Sequence, residues 1–327
     1  MFAIMIGFLG SVVLGFFLIP VLRKLKVGQR ISIYVGENHR KKEGTPTMGG
    51  FIFILPTLLA TFFLLLFNKI DYTSNLGIVL IVFIGYAIIG FLDDYLSIKR
   101  HNNEGLTEFQ KLFGQIVIAL IFFFMYMKNG GQTALIVGTL GIHIEMGWLY
   151  GLFILFLLVG GSNAVNLTDG LDGLAGGLAA IAFIAFSLIS MVVGFQDMGI
   201  FTFILVGSLL GYLVYNTFPA KVIMGDTGSL ALGGVMAAIA ILTHREVTLA
   251  VVAGVFIIET LSVILQVIWL TLFKKKLFLM SPIHHHFEKL GWEERDIVKL
   301  FWTFGLVLAM GGIFFGVWLY LIFLESR

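Results

Sequence analysis

Aspartates in this sequence recur in short runs of asparagine, threonine and glycine. Asp93 and Asp94 stand in GFLDDY, Asp169 and Asp172 in NAVNLTDGLDGLAGG (residues 163–177), and Asp226 in NTFPAKVIMGDTGS. None of the 327 residues is a cysteine, so a metal here must be held by oxygen or nitrogen. Carboxylates select hard ions, most simply Mg2+, which keeps waters and shares its shell with substrate phosphates. Adjacent residues on a helix point about 100° apart, so Asp93 and Asp94 cannot face one ligand equally. One suits a metal or phosphate site, the other a base role or a lysine. Asp169 and Asp172, three apart, share a helix face, which Asn163 and Asn166 carry back by a turn. Asp226 lies at an expected helix start, where free amides suit an anion or a metal–phosphate complex, and Asn216 and Lys221 fall on the same short loop. Each group also has a plainer reading, as a solvated helix end or as helix caps.

Two further motifs carry cations. In RKKEGTPTMGG (residues 40–50), Arg40, Lys41 and Lys42 precede Thr45, Thr47 and a Gly49-Gly50 pair. Such a run binds anionic lipid headgroups or, with the hydroxyls and a glycine-rich helix start, a diphosphate. In SPIHHHFEKLGW (residues 281–292), His284, His285 and His286 are consecutive. Three neighbouring rings do not converge easily on one ion, because helical metal sites use spacings of three or four. Beside Lys289 they suit hydrogen bonding to phosphate or carboxylates, or proton transfer.

The elements that must position these groups lie in a membrane. The chain is 59% hydrophobic and 12% charged, with a mean hydropathy of +1.01, which excludes a soluble enzyme. About 20 apolar residues are needed to cross a bilayer core, and ten stretches qualify: 2–22, 48–67, 76–92, 112–127, 147–165, 173–193, 199–218, 228–243, 247–273 and 300–323. The short ones, 76–92, 112–127 and 228–243, are expected to extend into their flanks. The first, with Arg23, Lys24 and Lys26 after it and no basic residue before it, reads as a retained helix and not a cleaved signal. Ten spans put 17 of the 21 Lys and Arg on one side and four on the other, so both termini are expected outside and five loops in the cytoplasm. All five motifs fall on the cytoplasmic side. The fold class expected is an all-α, polytopic integral membrane protein, one transmembrane catalytic domain over residues 1–327, with a small periplasmic β-hairpin within 130–145. A GxxxG at Gly207–Gly211 allows close helix packing or a homodimer.

GTPTMGG, GFLDDY, NAVNLTDGLDGLAGG, NTFPAKVIMGDTGS and PIHHHFE, in this order, resemble the polyprenyl-phosphate N-acetylhexosamine-1-phosphate transferase superfamily. PIHHHFE is similar to its muramoyl-pentapeptide branch. The resemblance implies an enzyme of the bacterial cytoplasmic (inner) membrane that moves phospho-N-acetylmuramoyl-pentapeptide from UDP-N-acetylmuramoyl-pentapeptide to undecaprenyl phosphate, giving lipid I and UMP in peptidoglycan synthesis. It implies Mg2+ as cofactor, membrane lipid as partner and no nucleic acid. It also implies a catalytic set of Asp93, Asp94 and Asp226, with Asp226 as the magnesium ligand. Lys42, Thr47, Lys111, Asn166, Asp169, Asp172, Asn216, His284, His285 and His286 match substrate-binding positions. Where the resemblance leads one to expect paired lysines near Lys111, this chain has Thr107-Glu108-Phe109-Gln110-Lys111.

The favoured chemistry is direct attack by the lipid phosphate on the donor's sugar-side phosphorus, with an aspartyl-phosphate route through Asp93 or Asp94 as the alternative. The 27 residues of 247–273 would make a helix of about 40 Å, too long for the core, so a break near Glu259–Gln266 beside a groove for the prenyl chain is expected. Glu259 is the one deep acid. A transporter would spread acids through the bilayer depth, and a related transferase would take N-acetylglucosamine-1-phosphate instead.

Overall fold

The computed structural model describes residues 1–24, 44–100, 105–137 and 141–318. Helices α1 (Phe2–Lys24), α2 (Phe51–Leu66), α3 (Ser74–Arg100) and α4 (Glu108–Lys128) precede a hairpin of β1 (Ala134–Val137) and β2 (Ile142–Glu145). Then follow α5 (Leu149–Thr168), α6 (Leu174–Val192), α7 (Gln196–Asn216), α8 (Asp226–Leu242), α9 (Glu246–Val252), α10 (Gly254–Phe273), α11 (Ile283–Lys289) and α12 (Glu294–Ile313), which runs on as a π turn, Phe314–Trp318. Among the described residues eight helices are long and apolar enough to cross a membrane, and α2 and α8 are shorter apolar helices. The chain is a multi-pass helical membrane protein. The hairpin lies inside the stretch expected for it, antiparallel with Ala134 opposite Glu145 and Val137 opposite Ile142.

The centre of the bundle is α8. Every residue from Thr227 to Leu242 is buried, as suits a helix that is apolar on all sides. Its glycines and alanines let α3 and α5 pack directly against it. At 17 residues it is about 25 Å long and does not extend as expected, because protein and not lipid surrounds it. The other two short stretches do extend, to 27 residues in α3 and 21 in α4. At the rim, α1, α4 and α10 bury only 22% of their apolar windows and turn rows of large apolar side chains outward.

One expectation needs correction, and one open alternative is decided. The stretch 247–273 breaks at Ala253, between α9 and α10, and not near Glu259–Gln266. There α9 buries Glu246, Thr248, Leu249 and Val252 in the bundle, whereas α10 leaves it for the rim, so the axis must change between them. Glu259 and Gln266 lie together in the unbroken α10. The GxxxG of α7 meets α1 of the same chain: a Cβ on Gly207 would stand 2.0 Å from the Ile4 carbonyl oxygen, and one on Gly211 2.6 Å from that of Phe8. The buried face of α1 answers with Gly7, Ser11 and Gly15. The motif is consumed by intrachain packing and presents no dimer face.

Gly207→Leu is therefore expected to separate α1 from α7 and destabilise the fold by about 1–3 kcal/mol or more. Val214→Ala, at a residue 51% exposed on the same helix, should stay within about 0.5 kcal/mol of the parent. Thermal unfolding of the detergent-solubilised protein reads both.

Candidate active site

The N-terminus of α8 organises the site. Its N-cap is Gly225, at φ 74°, a left-handed conformation that costs glycine little and leaves the helix no capping side chain of its own. The acceptor comes from another helix. Asp94, two turns before the end of α3, accepts from the Asp226 amide at 3.2 Å, the Thr227 amide at 3.0 Å and the Thr227 hydroxyl at 2.6 Å. Gly90, one turn earlier on α3, permits the approach, since a Cβ there would fall 2.1 Å from the Asp226 carbonyl oxygen. Asp94 is 8% exposed, so the orphan amides of α8 supply the favourable field that a buried carboxylate needs.

With its backbone held, Asp226 does not cap its own helix. Its Oδ2 accepts from Lys111 Nζ at 2.6 Å and its Oδ1 from Asn166 Nδ2 at 2.7 Å. Asn166 also reaches Ser229 Oγ at 2.9 Å. Lys111 spans to Asp93 Oδ1 at 3.2 Å, and the same oxygen accepts from the Leu106 amide at 2.9 Å. Asp93 and Asp94 thus diverge as helical geometry requires, one toward a lysine and one toward a helix end. Even so, one oxygen each from Asp93, Asp94 and Asp226 lie within 4.8 Å of one another. Three carboxylates, two of them bridged by one ammonium, make an oxygen-rich, anionic group, and that donor chemistry fits a divalent cation.

Thr47 joins from the segment before α2. The Gly49 and Gly50 amides donate to the carbonyls of Ile223 and Met224 at 2.8 and 2.9 Å, and the Ile223 amide to that of Pro46 at 2.8 Å. GTPTMGG and VIMGDTG are therefore paired backbones. The buried Thr47 hydroxyl then faces the Cα of Gly225 alongside Asp94, with no hydrogen-bond partner of its own. Lys111 is placed by a capping box: Thr107 accepts from the Gln110 amide and Gln110 from the Thr107 amide. The TEFQK sequence is thus a helix start that puts Lys111 in the first turn, with Phe109 exposed.

The remaining expected residues form two neighbouring clusters along residues 166–173. Around the turn into α6, Asn216 accepts from the Gly173 amide at 3.1 Å and donates to the Val222 carbonyl at 3.0 Å. Asp172 accepts from the Ala220 amide at 2.9 Å, while its own amide donates to Glu294 at 2.6 Å. Asp169 closes α5 as its C-cap. The histidines diverge. His284 is fully buried with Nδ1 3.1 Å from Glu259, His285 Nδ1 meets Glu288 at 2.5 Å, and His286 Nδ1 accepts from the Leu279 amide at 3.1 Å. Lys42 lies outside the described residues. Sequence reasoning passed over Thr227, Ser229 and Glu294. The first two adjoin Asp226 in DTGS and were legible as hydroxyls at a helix start, whereas nothing local marks Glu294.

Over residues 76–244 the chain matches the model of glycosyl transferase family 4. It is 50% identical over 319 residues to the phospho-N-acetylmuramoyl-pentapeptide-transferase of Bacillus licheniformis, with 98% of each chain covered. The chain belongs to the phospho-N-acetylmuramoyl-pentapeptide-transferase family. The enzymes of that name from Bacillus subtilis and Geobacillus thermodenitrificans are each 49% identical to it, over 320 and 317 residues, and at least 97% of every chain is covered. This family member is a membrane transferase, and its aspartate cluster lies where α3, α4, α5 and α8 meet at one end of the bundle.

Thr227→Val removes a hydrogen bond to the buried Asp94 carboxylate, a class worth about 1.5–3 kcal/mol. A matching fall in unfolding stability, together with lost transferase activity, is expected. An unchanged thermal midpoint would contradict the cross-helix cap.

Proposed function

We propose that this chain transfers phospho-N-acetylmuramoyl-pentapeptide from UDP-N-acetylmuramoyl-pentapeptide to undecaprenyl phosphate, giving lipid I and UMP in peptidoglycan synthesis. The reaction is Mg2+-dependent and takes place at the cytoplasmic face of the bacterial inner membrane. The observation that carries the reading is the Asp226 carboxylate, held by Lys111 and Asn166 beside Asp93 and Asp94, in a chain half identical to enzymes of that name. The 17-to-4 division of basic residues supports the cytoplasmic side.

Asp226 and Asp93 would supply the oxygen ligands for a metal, and Asp94 fixes the helix end that carries Asp226. The Lys111 ammonium offsets negative charge where the diphosphate must lie. Asn166 aims Asp226 through its Oδ1. Bound Mg2+ supplies charge neutralisation on the diphosphate and a better UMP leaving group. An oxygen of the lipid phosphate forms the new bond to the sugar-side phosphorus, and the bond from that phosphorus to the UMP oxygen breaks. Both Asp94 oxygens already accept hydrogen bonds from α8, and Asp93 Oδ1 is engaged by Lys111 and Leu106. Asp94 is therefore not disposed as a free nucleophile, which favours direct transfer over a phosphorylated Asp94. Outward-facing apolar residues of α10, among them Ile264, Ile268 and Leu272, suit a prenyl chain on that rim.

Labelled UMP is expected to exchange into UDP-N-acetylmuramoyl-pentapeptide in the presence of undecaprenyl phosphate and Mg2+, but not into UDP-N-acetylglucosamine. Chelation should abolish exchange and added Mg2+ restore it. Exchange into the second donor alone would replace this reading.

Asp226→Asn is expected to lower the rate by roughly 10²–10³-fold, the scale for removing a preorganised electrostatic group. Retained activity would remove Asp226 as the ligand. Incubation with phosphorus-labelled donor and no lipid should leave the protein unlabelled, and a trapped phosphoprotein would overturn direct transfer.

A further inference from the structure

Helix α10 is attached to the bundle in an unusual way. Only Val255, Phe256, Glu259, Ser262 and Gln266 of its 20 residues are buried, and three of those five are polar. Gln266 accepts from the amides of Leu277 and Phe278 at 3.1 and 2.8 Å. Ser262 donates to the Glu259 carbonyl at 2.6 Å. Glu259 itself, fully buried, lies 3.1 Å from Nδ1 of the equally buried His284. A helix that needed only to pack would present apolar residues on that face. A buried carboxylate in a membrane bundle is costly unless a specific partner compensates for its lost solvation.

The other side of the His284 ring touches the site. A Cβ on Gly170 would stand 2.3 Å from His284 Nε2, so the imidazole edge lies directly against the backbone between Asp169 and Asp172. Neither ring nitrogen nor either Glu259 oxygen makes a hydrogen bond, so the 3.1 Å approach of Glu259 to Nδ1 is the charged contact the ring has. Four residues upstream of Gly170, Asn166 holds Asp226.

We propose that Glu259 is a positioning residue for the transfer reaction. It orients His284 through Nδ1 so that the ring sets the Asn166–Asp172 segment in place to bind the nucleotide-linked donor. The lipid-facing α10 is thereby coupled to the donor side of the site. The inference rests on the transferase reading above, and wild-type transfer activity in the same assay tests that reading separately.

The test is a double-mutant cycle on the full-length detergent-solubilised protein, with Glu259→Gln, His284→Gln and the pair. Both donor KM and donor binding without lipid phosphate are measured. Outer partners that orient histidines at metal sites typically contribute about 10–100-fold to affinity or activity. Glu259→Gln is accordingly expected to weaken donor binding and raise donor KM by roughly tenfold or more. The KM for undecaprenyl phosphate should stay within about twofold, and the double variant should be no worse than His284→Gln alone. Glu259→Asp should recover part of the loss. Additive losses would show that the two side chains act independently. An equal rise in both KM values with a lowered thermal midpoint would show a merely structural role. Wild-type donor affinity in Glu259→Gln would also overturn the proposal.

Discussion

The contact between the Asp94 carboxylate and the first two amides of α8 is the constraint on which the site depends. A buried helix start must find acceptors for its orphan amides, and Gly225 offers no side chain to provide one. A carboxylate from α3 meets that need, and the helix end in turn offers a buried aspartate the donors that make its burial tolerable. The exchange is reciprocal, so α3 and α8 are locked in one axial register. That register decides where Asp226 stands, because Asp226 is the first residue of the helix so held. Lys111 and Asn166 then reach Asp226 from α4 and α5, and Asp93 is drawn in through the same lysine.

Around this lock the bundle separates two kinds of surface. The rim helices face outward with large apolar side chains and bury stripes that are small, as on α1, or polar, as on α10. The interior is made by α6, α7 and α8, where glycine, alanine and serine let backbones approach and van der Waals contact replaces the hydrophobic drive that a bilayer does not supply. Polar groups collect where the central helices end. The 166–173 segment threads all three polar clusters: Asn166 on Asp226, Gly170 on His284, and the Asp172–Gly173 backbone on Glu294 and Asn216. Any shift of this segment is felt by both the aspartate group and the histidine loop.

Local patterning carried much of this without coordinates. Uninterrupted apolar runs announced the long helices, the glycine-flanked alternation within 130–145 announced the hairpin, and the spacing of Asp93 and Asp94 required that they diverge. The aspartates, asparagines and histidines were legible as a group because polar residues in so apolar a chain are expensive and few. Patterning failed where burial, and not sequence, set the outcome. The length of α8 could not be read, because the rule for crossing lipid does not govern a helix enclosed by protein. The break at Ala253 was misplaced, because it follows from two segments docking on different partners. The GxxxG of α7 was open to two partners until α1 was seen against it.

The sequence by itself determined that this is a helical membrane protein with oxygen-donor chemistry, since composition and period are properties of the chain alone. Its motifs also carried the family resemblance. Only the tertiary structure decided which polar residue meets which: that Asp94 caps a helix 132 residues away, that Asn216 spends its amide on backbone, and that Glu259 turns to His284. Hydrogen bonds are short and directional, so their partners are chosen by the close approach of backbones distant in sequence. No spacing along one strand of text encodes that approach.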